Sequence, residues 1–289
     1  MRGMQPDLFV PTRRGRFAAL AGGPADGPTV LLLHGFPDGP GTFDALMTAL
    51  AAAGFRTVAP WLRGYAPSPL DGEFGPAALG ADLLALADAL GTSCVIGHDW
   101  GALAVYAALA LALHKLSAAV TLAVPHIHAA MRNALRAPIQ LWRSRYMLRF
   151  QLPGAARWLR CRDFAYVDAL WRRWSPALTP PAAHLAAVKT SLAASGAAPL
   201  AHYREMVRGL SSGIARPPVS TTPLLYLAGT ADGCVGWELG RGQERWLGGG
   251  GYAERIYPGA GHFLHLERPR EVAADIRAWL QNHNAAAGR

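Results

Sequence analysis

Lysine is almost missing from this 289-residue chain, with Lys115 and Lys189 the only two. Arginine supplies the rest of the 28 basic residues, which outweigh 19 acidic ones for a formal charge of +9. Charge of either sign is scarce, at 16% against 51% apolar residues, which excludes acidic disorder, low complexity and collagen-like repeats. Cysteine is scarce too. Cys94, Cys161 and Cys234 lie far apart with no CxxC, a pattern that suggests a reduced, cytoplasmic protein. There is no run of about 20 apolar residues and no continuous apolar stretch near the start, so neither a membrane partner nor a secretory signal is expected.

The basic excess is concentrated in one region. Residues 126–215 hold 13 basic residues against Asp163, Asp168 and Glu205, or +10, leaving 15 against 16, or −1, for the rest. Such a patch can serve nucleic acid, an anionic surface or an anionic substrate. Arg132/Arg136 and Arg145/Arg149 stand at i,i+4, which favours plain solvent-facing helix stripes. No nucleic-acid motif accompanies them, so no nucleic-acid partner is expected. Steering of anionic substrates is the alternative use.

Short apolar runs punctuate the chain at 29–33, 55–59, 94–96, 118–124, 224–228 and 255–257. They lack period-2 alternation and are separated by helical stretches at 42–53, 76–90, 101–114 and 269–282. That pattern predicts an α/β fold with a mostly parallel sheet covered on both faces. Residues 126–215 break the alternation with tryptophan, arginine and proline and no strand run. They are expected to form an all-helical insertion, a cap, in a core made of 1–125 and 216–289.

In open parallel sheets, reactive groups gather beyond the carboxyl ends of the strands. Gly97-His-Asp-Trp-Gly101 follows one run and opens a helix, in the pattern of a nucleophile elbow with Asp99 in place of serine. An Asp at a helix start can also be a simple N-cap. Aspartate narrows the chemistry. A carboxylate attacking an sp3 carbon leaves an ester that water can remove, whereas serine would leave an ether. The expected electrophile is an alkyl carbon bearing an oxygen or halide leaving group. His262, in Gly261-His-Phe263, is the candidate base that activates water. Asp232, on the loop after the preceding strand, is its orienting acid, although Asp before Gly233 also suits a turn. Backbone N–H groups of Phe36, in His34-Gly-Phe-Pro37, and of Trp100 are the candidate oxyanion hole. A cis bond before Pro37 is plausible. His126 and His128 lack a third ligand, and no metal or cofactor is expected. Other histidines, among them His114, His184 and His283, suit surface or packing positions.

With these residues in view, the chain resembles an epoxide hydrolase of the α/β-hydrolase fold over nearly its whole length. His34-Gly-Phe-Pro37 is similar to that family's HGxP motif, and Gly97–Gly101 to its elbow, which haloalkane dehalogenases share. Tyr146-Met-Leu-Arg-Phe-Gln-Leu-Pro-Gly154 resembles the Y-x-x-x-F-Q-x-P-G cap motif. Pro199-Leu-Ala-His-Tyr203-Arg204 resembles the stretch that carries a second cap tyrosine. The resemblance implies that Tyr146 and Tyr203 hydrogen-bond an epoxide oxygen, and that Phe36, Pro37, Trp100 and Phe150 line the substrate site. It implies a small-molecule epoxide as partner and a monomer or homodimer. Haloalkane dehalogenase, with the same nucleophile, is the nearest alternative. A catalytically idle binding module of this fold is the alternative from another class.

Overall fold

The computed structural model describes residues 5–211 and 219–284. At its centre is one eight-stranded sheet made of β1 (Leu8–Thr12), β2 (Gly15–Gly22), β3 (Thr29–Leu33), β4 (Arg56–Pro60), β5 (Cys94–His98), β6 (Ala118–Leu122), β7 (Leu224–Gly229) and β8 (Tyr252–Tyr257). The spatial order is β1-β2-β4-β3-β5-β6-β7-β8. From β4 to β8 the neighbours pair in parallel, and these strands correspond to the apolar runs of the sequence. The antiparallel β1–β2 hairpin was not among those runs. Pro11 and the exposed Phe9 suit β1 to the sheet edge, and alanine-rich β2 lacks the β-branched residues that announce a strand.

Every residue of β5 and β6 is buried, as are Val30 to Leu33 of β3. Successive side chains of a strand point to opposite faces, so both faces of the sheet are covered. The covering helices are α1 (Asp44–Ala52), α2 (Pro76–Leu90) and α3 (Trp100–Leu111), with five more between β6 and β7. Those five are α4 (Ile127–Ala134), α5 (Ile139–Gln151), α6 (Ala155–Trp174), α7 (Ala182–Ser195) and α8 (Ala198–Ser211). Three follow later: α9 (Glu244–Leu247), α10 (Leu264–Glu267) and α11 (Pro269–Asn284). Helix α2 packs on α3, and α1 on α11. Helix α6 is broken at 161–164, where Arg162, Asp163 and Phe164 are left-handed. The expected end of the insertion, at 215, lies outside the described residues. Among the described residues no helix is long and apolar enough to cross a membrane.

Strand β3 has β4 on one side and β5 on the other. The connections therefore leave its end in opposite directions, which opens a crevice where the loops after β3 and β5 diverge. Phe36 and Asp99 lie on those two loops.

Candidate active site

Asp99 joins β5 directly to α3 with φ 52° and ψ −112°, a conformation that L residues rarely adopt. The turn is tight: a side chain at Gly97 would overlap the Gly101 carbonyl, and one at Gly101 the Leu33 carbonyl. Glycine on both flanks is what lets the elbow close. The carboxylate sits at the N-terminus of α3, where the helix dipole favours an anion. Its Oδ1 accepts the Phe36 N–H at 2.8 Å. Of the two expected donors, Phe36 makes this bond among the described residues, while Trp100 is the first residue of α3. The Phe36–Pro37 bond is cis.

His262 lies on the loop between β8 and α10. Its Nδ1–H donates to Asp232 Oδ2 at 2.9 Å, while Nε2 has no hydrogen-bond partner among the described residues and faces Asp99 Oδ2 at 3.7 Å. Asp232 is itself fixed, because its Oδ1 accepts the N–H groups of Cys234 (2.6 Å) and Val235 (2.9 Å). All three side chains are buried. Burial disfavours a charged His262, but Asp232 and then Asp99 more than offset it and raise the ring to about 10. While both carboxylates are ionised, the ring is therefore held as an imidazolium. Loss of the Asp99 charge would let it give up its proton more readily.

Two tyrosines come down from the helices above. Tyr146 on α5 and Tyr203 on α8 are buried, with ring centroids 5.8 Å apart. Phe36 packs edge-on against Phe150 (5.3 Å) and Tyr203 (5.5 Å), and Trp100 against Tyr203 (4.9 Å). The Tyr146 hydroxyl lies 3.6 Å from Cys234 Sγ. The Tyr203 hydroxyl has no well-formed hydrogen bond among the described residues, with the Trp100 indole nearby. Burial foremost, with the Asp99 charge among the further causes, holds both phenols well above their ordinary range. Both are therefore neutral, with an O–H available as a hydrogen-bond donor.

The helices are tied to the core next to these groups. His202 accepts the Gly75 N–H at Nδ1 (3.1 Å) and donates from Nε2 to the Arg63 carbonyl (2.8 Å), which anchors α8 beside Tyr203. The Trp171 indole N–H donates to the Pro37 carbonyl at 3.1 Å. Gln140 on α5 donates to the Cys234 carbonyl (2.9 Å) and accepts the Gly236 N–H (3.0 Å), clipping the helix that carries Tyr146 to the loop that carries Asp232.

His184 is more than the surface or packing residue expected of it. From α7 it reaches the buried Asp38, one residue past Pro37, with Nε2 2.8 Å from Oδ1. The only sequence signal was an acid next to the His34–Pro37 motif. His34 and His98 are neutral braces, lowered to about 4 by burial. His126 and His128 stack on each other, and no metal-holding group of His, Cys, Asp or Glu occurs among the described residues.

The profile of the Alpha/beta hydrolase family matches residues 30–275 of the chain. Epoxide hydrolase A of Mycobacterium tuberculosis is 31% identical over 326 residues, covering 96% of this chain and 98% of that protein. The crystal structure of Epoxide Hydrolase A from Mycobacterium thermoresistibile superposes with a TM-score of 0.78 at 28% identity, covering 95% of this chain and 97% of the other. A Bacillus megaterium epoxide hydrolase in complex with an inhibitor shares the fold, with a TM-score of 0.82 at 23% identity over 95% of this chain and all of that one.

Proposed function

We propose that this chain, which belongs to the alpha/beta hydrolase family and groups there with the epoxide hydrolases, opens epoxides to vicinal diols through an ester on Asp99. The observation that carries this proposal is an elbow carboxylate whose charge reaches two buried, neutral phenols. An alkyl electrophile with an oxygen leaving group needs both. Residues 126–215 act as the cap and supply the phenols, while 1–125 and 216–289 supply the charged groups.

In the first step Asp99 Oδ2 forms a bond to an epoxide carbon. The C–O electron pair moves to the epoxide oxygen, which takes a proton from Tyr146 or Tyr203, and that phenolate takes the proton of the His262 imidazolium in turn. Esterification removes the Asp99 charge, so His262, still paired with Asp232, becomes the neutral base that the second step needs. It takes a proton from water as the oxygen attacks the Asp99 carbonyl carbon. Phe36 N–H, with Trp100 N–H available beside it, stabilises the resulting oxyanion. Collapse breaks the bond to the diol oxygen, which takes the proton of the newly added hydroxyl, so the diol leaves, the carboxylate is restored and His262 is again the imidazolium.

Phe36 offers no side-chain donor for a halide, and in a dehalogenase the two phenols would have no task. Styrene oxide and a bromoalkane assayed side by side test the choice. Diol from the epoxide without bromide from the alkane is expected; bromide without diol would overturn it.

A further inference from the structure

The solvent side of the helices above the site is not the plain arginine face that i,i+4 spacing suggests. Seven of the twelve exposed large apolar side chains of the described residues fall within 131–152. Leu135, Leu141, Leu148 and Trp142 are 94, 77, 71 and 63% exposed. No carboxylate occurs from 100 to 162, whereas eight arginines fall between 127 and 162.

Helix α5 shows the arrangement most clearly. One side buries Tyr146 and Phe150, while the other carries Leu141, Trp142, Arg145, Leu148 and Arg149 at helical i,i+3 and i,i+4 spacing. The Arg145 guanidinium lies over the Trp142 ring at 3.6 Å, and that of Arg149 over Trp158 at 4.2 Å. Alongside runs a groove of about 490 Å³ lined by Arg132, Arg136, Arg143, Arg241 and Arg245, with Glu238 as its one acid. None of these five arginines is in an ion pair among the described residues.

Apolar patches of this kind mark a contact surface, and the charge around this one selects the partner. A second copy of the chain would bring the same arginines face to face with almost no acid to meet them. Nucleic acid would satisfy the arginines and leave the leucines in water. An anionic bilayer satisfies both, since leucine and tryptophan settle at the boundary between headgroups and acyl chains while arginine pairs with phosphate. We propose that the outer face of α4 and α5 docks on an anionic membrane surface, with the arginine groove taking lipid headgroups. This is peripheral binding, distinct from spanning, and it places the docked face on the opposite side of α5 from Tyr146 and Phe150.

Flotation of the full chain with phosphatidylcholine vesicles, with or without phosphatidylglycerol, tests the proposal. The chain is expected to float only with phosphatidylglycerol present and to be released by high salt. Leu141→Ser/Trp142→Ser/Leu148→Ser and Arg132→Glu/Arg136→Glu should each lower the bound fraction by about tenfold or more. Circular dichroism and turnover of a water-soluble epoxide should stay unchanged, as none of these residues belongs to the site. No flotation, equal flotation on both vesicle types, or variants that float like the parent would overturn it. A dimer in sedimentation velocity that the leucine variant dissociates would give the face to a second copy instead. Flotation needs no turnover, so this result stands or falls apart from the epoxide assignment.

Discussion

The loops at the carboxyl ends of the strands and the helices above them treat polar groups in opposite ways. In the loops, buried carboxylates are held by specific partners: Asp99 by Phe36 N–H, Asp232 by two N–H groups and His262, Asp38 by His184. In the helices, the two buried phenols are neutral, one is without a well-formed hydrogen bond among the described residues, and the arginines lie mostly on the solvent side. A buried ion left unpaired is destabilising by several kcal/mol, so each buried carboxylate of the loops is held by a partner. Neutral phenols can be held in an apolar setting until a leaving oxygen arrives. In the proposed mechanism the division of labour is ion pairs below and proton donors above.

The strongest way to break this division is at the loops. Asp99→Ala should lower epoxide turnover by at least about 10⁴-fold, measured as diol formation. If a tenth of the activity survived, the charge chemistry would lie elsewhere. On the helix side, Tyr146→Phe/Tyr203→Phe should reduce kcat/KM by about 10²–10⁴-fold, with each single change less harmful because the other phenol remains. A double variant near full activity would leave the cap with a role in shape alone. Where the two regions meet, Asp38→Ala should cost about 1–3 kcal/mol in urea unfolding, because His184 loses its partner. A change within experimental error would mean that this tie holds nothing.

The smallest effect is a slope. His262 is raised in the folded chain from 6.5 to about 10, so its contribution to stability is fully present below about pH 6.5. It is lost as pH rises through the folded value. Asp232→Asn removes the main group opposing burial, so unfolding free energies between pH 6.5 and 10 should fall less steeply than in the parent chain. Equal slopes would show that Asp232 does not set the charge of the ring.

What was legible in the sequence followed the same division. Asp99, Asp232 and His262 could be found because each stands just past a parallel strand, and backbone topology alone brings strand ends together. The donor role proposed for Tyr146 and Tyr203 rests on a family resemblance, since nothing local distinguishes a donor tyrosine from a packed one. The Asp38–His184 pair was not legible, because its partners are 146 residues apart on elements whose approach depends on how the helices dock. The β1–β2 hairpin escaped because alanine and glycine carry little strand signal. The outer face of α5 escaped for a different reason. Leucine at helical spacing reads as buried until the structure shows which side meets the core.

A single turnover in ¹⁸O-water, with enzyme in excess over epoxide, tests the covalent step directly. The first diol released should be unlabelled, and mass spectrometry of the peptide that carries Asp99 should show one ¹⁸O in its carboxylate. Label in the first diol with an unlabelled Asp99 would mean that water attacks the epoxide itself, and would contradict the ester on which the mechanism rests.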